Sequence, residues 1–196
     1  MKKTIITRLL DVMAGDIAPM TAQEVLRGNK IFGAAILLKS DLSLVIAETN
    51  NEVENPLWHG EMHAIKKLYE RNRATLPEPK DCIFLSTHEP CSLCLSAIAW
   101  AGYDNFYYLF SHEDSRDNFA IPHDLQILKE VFNLDSGEYS KDNAFWKSHN
   151  LTHMIAELPQ EDREELDAKV ARLRQTYAAL SETYQTHKGD AGIPLA

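Results

Sequence analysis

The sequence predicts an α/β protein on three observations: apolar runs of strand length recur along the chain, segments with helical spacing separate them, and turn residues divide the two. Thr4 to Met13 sets Ile5, Ile6, Leu9, Leu10 and Met13 at helical spacing, and Pro19 and Gly28 bracket a short second helix. Residues 31–38 (IFGAAILL) and 43–49 (SLVIAET) are joined by KSDL, whose Ser40 and Asp41 favour a tight turn, so they read as a hairpin. From Trp58 to Arg71, Met62, Ile65, Leu68 and Tyr69 line one helical face, and LPEPKD ends it before the strand CIFLS. A helix over 91–101 and a buried strand FYYLF (106–110) complete a βαβαβ order. Pro122 opens a helix to Phe132, and DSGEYSKDN (135–143) reads as loop. From Gln160 to Tyr184 the positions Leu166, Val170, Leu173, Tyr177, Leu180 and Tyr184 repeat at steps of four and three, the spacing of a packing face or of a subunit seam. The closing GDAGIPLA reads as a frayed tail.

Composition narrows the function classes. A length of 196 residues suits one compact unit, and 44% hydrophobic with 25% charged residues fits a soluble globular protein. A formal net charge of −9 repels phosphate backbones and anionic lipid, which disfavours nucleic acid and membrane partners. The basic opening MKK resembles a signal peptide, but Arg8 and Asp11 interrupt the apolar stretch and no small-residue cleavage site follows. The apolar runs fall short of the roughly 20 residues that span a bilayer. Three cysteines, two of them spaced C-x-x-C, point to metal or redox chemistry in a reducing compartment, by default the cytoplasm.

Two short patterns carry the chemistry: His59-Gly60-Glu61 at one helix start, and Pro90-Cys91-Ser92-Leu93-Cys94 at the next. Zinc takes imidazole and thiolate ligands, and a catalytic site supplies three while leaving a fourth position to water, a count that His59, Cys91 and Cys94 meet. Thiolates at a helix N-terminus are favoured by the dipole and the free N–H groups. Glu61 sits where its carboxylate can handle protons rather than ligate. A structural site closed by Cys82 or His63, or a redox C-x-x-C, are the competing readings; the second explains neither His59 nor Glu61. His63 itself reads as surface or pocket wall.

From Phe32 to about Tyr108, through FGAAIL, ETNN, WHGEMHAI and LSTHEPCSLCLSAIAWAGYDNFYYL, the chain resembles the cytidine and deoxycytidylate deaminase superfamily, whose H-x-E and P-C-x-x-C signature it carries. Within it, the motifs are most similar to those of bacterial guanine deaminases, then of tRNA adenosine deaminases and cytosine deaminases. The resemblance implies a three-layer α/β/α fold with a central, mostly parallel sheet, here with an added C-terminal helix: a zinc deaminase domain over 1–157 and a helical extension and tail over 158–196. It implies Zn2+ on His59, Cys91 and Cys94, proton transfer by Glu61, base binding by Asn50, pocket walls at Phe32 and Trp100, and a homodimer. An acidic stretch after the last strand is expected to reach the base, which makes Asp114 the candidate, with Asp117 and Asp124 beside it. The chain departs from the family pattern in carrying Gly60 where Ala or Val is usual, in the short loop NEVENPLW, and in Trp58, which is expected to crowd the pocket mouth. The implied activity is hydrolytic removal of an exocyclic amino group from a small nitrogenous heterocycle, foremost a purine base such as guanine, with release of ammonia. A tRNA adenosine deaminase, a cytosine or cytidine deaminase and a zinc-stapled interaction module are the alternatives, the last disfavoured by Glu61.

Overall fold

The computed structural model describes residues 1–135 and 137–196. Helix α1 (Lys2–Val12) continues through a π turn (Met13–Ile17) into α2 (Ala18–Glu24). The two helices expected here are thus one run, because Pro19 falls in the first turn of α2, where its missing N–H goes unneeded. Strands β1 (Gly33–Leu38) and β2 (Leu44–Thr49) form the expected hairpin. Then follow α3 (Gly60–Tyr69), β3 (Cys82–His88), α4 (Ser92–Trp100) and β4 (Asn105–Phe110). The rest comprises α5 (His112–Asp117), α6 (His123–Phe132), β5 (Lys147–Asn150), α7 (Leu151–Ala156) and α8 (Gln160–His187). Of the expected loop over 135–143, Ser136 lies outside the described residues.

The sheet order is β2-β1-β3-β4-β5. It is mixed and, as expected, mostly parallel: β2, β3, β4 and β5 point one way, and β1 alone runs antiparallel to both its neighbours. Because β2 and β3 both oppose β1, they point the same way. The helices that follow them, α3 and α4, therefore start at the same sheet edge, and that shared edge positions the site.

Strand side chains alternate between two cores, as the pleat requires. Ala35, Leu37, Ile83, Leu85 and Leu109 face one way, against α1, α7 and α8; Ala34, Ile36, Phe84, Phe106 and Tyr108 face the other, against α3 and α4. The result is three layers, helix on sheet on helix. The α8 positions from Leu166 to Tyr184 are all buried in the first core beside Ile6, Leu9 and Leu10 of α1, so the seam is an internal packing face rather than a subunit seam. The tail is not frayed either: Ile193 is buried, and Pro194 and Leu195 reach the cavity described below. Among the described residues no helix is long and apolar enough to cross a membrane.

Truncating the α8 face tests its assignment. Leu173→Ala is expected to lower unfolding free energy by about 2–5 kcal/mol, the range for a buried Leu, with unchanged oligomeric state. Urea denaturation and light scattering on the same variant check it; a seam between subunits would instead lower the association with little change in a monomer's stability.

Candidate active site

The first turn of α3 is held by two contacts. Asn50, just past the end of β2, accepts the Gly60 N–H on its Oδ1 at 2.6 Å. Gly60 itself rests on Gly33 at the start of β1: a Cβ added to Gly60 would lie 2.6 Å from the Gly33 Cα and 2.9 Å from its backbone N and C. The departure from the usual Ala or Val thus has a local cause. With the helix start pressed on the sheet, His59 becomes the N-cap and Glu61 enters the first turn. Across the same edge Cys91 caps α4 and Cys94 lies one turn in.

These two helix starts bring together His59 Nδ1, Cys91 Sγ and Cys94 Sγ, all within 4.8 Å of one another. His59 Nδ1 lies 3.4 Å from Cys91 Sγ and 3.8 Å from Cys94 Sγ. A nitrogen and a sulfur on one tetrahedral zinc are separated by about 3.6 Å given usual bond lengths, so the donor set matches zinc in both kind and spacing. Among the described residues no fourth side chain joins the group: Cys82 is in the core under α3 and α4, and His63 turns away. The expected alternative of a closed structural site thus finds no ligand.

The electrostatics suit a site for a cation. Hydrogen bonding to Cys94 and His59 holds the Cys91 thiol well below its ordinary range, against the opposing effect of burial. Burial, then the hydrogen bond and the charge of Cys91, push Cys94 up. Burial would lower His59, but the hydrogen bond and charge of Cys91 raise it to about 9. Glu61 is buried; burial and then the Cys91 charge raise its pKa, while the Ser86 hydroxyl opposes the rise. Ser86 Oγ contacts Glu61 Oε1 and lies 2.6 Å from the His88 carbonyl. One hydroxyl proton serves two acceptors in turn: it is donated to Glu61 when that group is a carboxylate, and to His88 O when Glu61 carries its own proton.

Behind the cysteines, Glu89 anchors the loop that carries them. Its N–H donates to Phe110 O at 2.7 Å, and its carboxylate accepts from His112 N–H at 3.1 Å, Tyr139 OH at 2.8 Å and the Lys141 ammonium. Against burial, His112 and Lys141 keep the Glu89 carboxyl below its usual pKa. His112 Nε2 sits 3.1 Å from Pro90 O.

In front of the trio opens a cavity of about 420 Å3, walled by Phe32, Leu57, Ile121, Asp124 and Ile127, with Lys30 and Glu52 on one side and Pro194 and Leu195 of the tail on another. Phe32 lies on the cavity wall, its ring centroid 4.7 Å from that of His88. Asn50 is fully buried with its amide engaged by Gly60 and by Glu52, to which its Nδ2 donates at 2.9 Å. Two expected contacts are corrected. Trp100, the last residue of α4, is 92% exposed and far along the helix from its ligand end. Asp114 closes a capping box with Ser111 and bridges to Arg174 at 2.9 Å, beside a separate cavity of about 360 Å3. Asp117 pairs with Arg116 in solvent. Of the three aspartates it is Asp124, in the first turn of α6, that reaches the cavity, where burial and the Cys91 charge raise its pKa to about 8. Trp58 does not crowd the mouth; it stacks on His63, which is buried with Nδ1 3.0 Å from Thr49 O. His88 sits in a cage of Phe32, Phe110, Phe119 and Tyr177, and burial keeps it neutral. Ser86, Glu52 and Lys30 escaped the sequence reading because nothing in their spacing shows that folding brings them to the site.

The family model for the cytidine and deoxycytidylate deaminase zinc-binding region matches residues 14–110. Over these residues, just under half of the chain, it is similar to that family. A guanine deaminase of Bacillus subtilis (strain 168) is 35% identical over 103 residues, which are 51% of this chain and 62% of that relative. A solved guanine deaminase from Bacillus subtilis superposes with a TM-score of 0.51 at 27% identity over 62% of this chain and 75% of its own. A guanine deaminase from Nitrosomonas europaea shares the fold, with a TM-score of 0.51 at 17% identity over 86% of this chain and 84% of its own.

The Gly60 contact predicts a specific sensitivity. Gly60→Ala is expected to cost about 1–3 kcal/mol through overpacking on Gly33 and to weaken zinc retention, because His59 and Glu61 flank the displaced residue. Gly15→Ala, where a Cβ meets nothing within 4 Å, is the control. Denaturation midpoints and metal content of the two variants check it.

Proposed function

We propose that the protein is a zinc-dependent hydrolase that removes the exocyclic amino group of an aminopurine such as guanine and releases ammonia. The observation that carries this reading is Glu61: a buried carboxyl, held by Ser86 and set beside three zinc donors whose remaining face gives onto a base-sized cavity. An interaction module stapled by zinc has no use for such a group. The relation to a guanine deaminase over half of the chain supports the purine. An acidic balance of −9 disfavours a tRNA substrate.

In this reading His59 Nδ1, Cys91 Sγ and Cys94 Sγ hold the metal, which supplies Lewis acidity that brings the pKa of water toward about 7. Glu61 Oε2 accepts a proton from the attacking water while Oε1 stays on Ser86. Glu61 then delivers that proton to a ring nitrogen beside the reacting carbon, takes up the proton of the hydroxyl now on that carbon, and passes it to the amine, which leaves as ammonia as the carbonyl forms. Ser86 follows each change by turning between Glu61 and His88 O. Asp124 accepts ring N–H or amino donors from the far wall, Phe32 packs on the base, and Pro194 and Leu195 exclude bulk water. Asn50 acts through Gly60, fixing the helix start.

Three free thiols suit a reducing compartment, and we assign the reaction to the cytoplasm. A homodimer completes the proposal. With the α8 face spent internally, its surface is the groove between Trp100 and Phe145, two large apolar side chains 92% and 71% exposed that flank Ala99 and Trp146.

Glu61→Gln is expected to keep zinc and fold while ammonia release from guanine falls about 100- to 10,000-fold, the usual share of a general acid–base group. Metal analysis with a coupled ammonia assay checks it; near wild-type turnover would remove Glu61 from the mechanism. For the assembly, light scattering at micromolar concentration is expected to give a dimer that Trp100→Glu converts to a folded monomer. An intact chain that is already monomeric refutes it.

A further inference from the structure

One wall of the cavity carries an ion pair that the proposed mechanism does not use. Lys30, ahead of β1, and Glu52, in the loop after β2, are buried, with side chains 7% and 2% exposed. Lys30 Nζ donates to Glu52 Oε1 at 2.7 Å, and Lys30 N–H donates to Oε2 at 3.1 Å. Oε2 also receives Asn50 Nδ2 at 2.9 Å, and Oε1 stands 4.0 Å from His59 Nε2. Glu52 is thus bound from three groups, and its role toward Lys30 is that of a fixed counter-ion.

Lys30 is not satisfied in the same way. An ammonium has three N–H donors, and among the described residues Glu52 Oε1 is the only hydrogen-bond acceptor on Nζ. Both side chains line the cavity. A buried ion pair gives little or no net stability over apolar packing, so its presence beside the apolar wall of Phe32, Leu57, Ile121 and Ile127 calls for another reason. The charge reaches across the space: after burial, Lys30 is the next cause holding the His123 ring below its usual pKa.

We propose that Lys30, held by Glu52, is a specificity-determining residue that donates a hydrogen bond to a neutral acceptor of the heterocycle, a ring carbonyl oxygen or an unprotonated ring nitrogen. The proposal rests on the aminopurine reading above and deepens it. A neutral acceptor is favoured over a phosphate or carboxylate because Glu52 already neutralises the ammonium, while Cys91 and Asp124 line the same cavity. An anion would arrive with no free cation to meet it; a free base brings only lone pairs. The remaining Lys30 donors therefore select a base, not a nucleotide.

The test uses the zinc-loaded full chain. Lys30→Met alone strands a buried carboxylate, so the working variant pairs Lys30→Met with Glu52→Gln, which keeps the bonds to Asn50 and to the Lys30 backbone position. Ammonia release is measured for guanine, 2-aminopurine, which lacks the ring carbonyl, and 3-deaza-, 7-deaza- and 9-deazaguanine, each lacking one ring nitrogen, with guanosine 5′-monophosphate as the anionic arm. We expect kcat/KM of the double variant on guanine to fall about 10- to 100-fold, as for a hydrogen bond to a charged donor, and the wild type to lose a similar factor on one analogue. On that analogue the double variant loses little more, which names the acceptor. An equal loss on every substrate, no loss on any, or wild-type preference for the nucleotide overturns the role of Lys30. If the zinc-loaded wild type releases ammonia from none of the purines, it is the aminopurine reading that falls, and this proposal with it.

Discussion

Everything at the site depends on how closely the start of α3 approaches the start of β1. Gly60 lies on Gly33 with no room for a Cβ between them, and Asn50 fastens the same residue through its N–H. That one abutment sets the direction of the helix, and with it the side chains on either side of Gly60: His59 toward the cysteines, Glu61 toward Ser86. The opposite half follows from topology. As β2 and β3 share a direction, α4 begins at the same edge, and its cap and first turn supply Cys91 and Cys94. A site assembled from two helix starts also inherits their dipoles, which favour thiolate.

The protons in this cluster are shared under strain of charge. Cys91 is held low, Cys94 high, and His59 and Glu61 are both raised. Two thiols and an imidazole that hold protons in this manner are a donor set that takes up zinc with release of protons. Glu61 stays out of that set because Ser86 engages its carboxyl, and because His59 and the cysteines already provide the three donors of an open site. Glu89, His112 and Lys141 brace the cysteine loop from behind.

The layers and the donor set were legible in the sequence because both leave local marks. Ile36 and Phe84 sit in apolar runs bounded by turn residues, and H-x-E and P-C-x-x-C each fit one helix start. What escaped has no such mark. β5 is KSHN, four polar residues that become a strand only by pairing with β4. α5 is HEDSRD, without an apolar face; its single clue is Ser111 three residues before Asp114, a capping box that also explains why Asp114 is occupied and away from the cavity beside the cysteines. The resemblance puts Trp100 on the pocket wall, yet one helix length carries it to the surface. The tail GDAGIPLA carries no periodicity and reads as frayed, yet Ile193 is buried and Pro194 and Leu195 line the cavity. Lys30 and Glu52 meet only through the folded hairpin, a contact no spacing reveals.

The central claim is an open metal site of three protein ligands served by a carboxylate that does not ligate. Zinc-edge X-ray absorption on the metal-loaded protein tests it most directly. The account predicts two sulfurs at about 2.3 Å and two lighter atoms at about 2.0 Å, one from His59 and one exchangeable with solvent. A fourth protein ligand, whether a third sulfur or the Glu61 carboxylate, would contradict it.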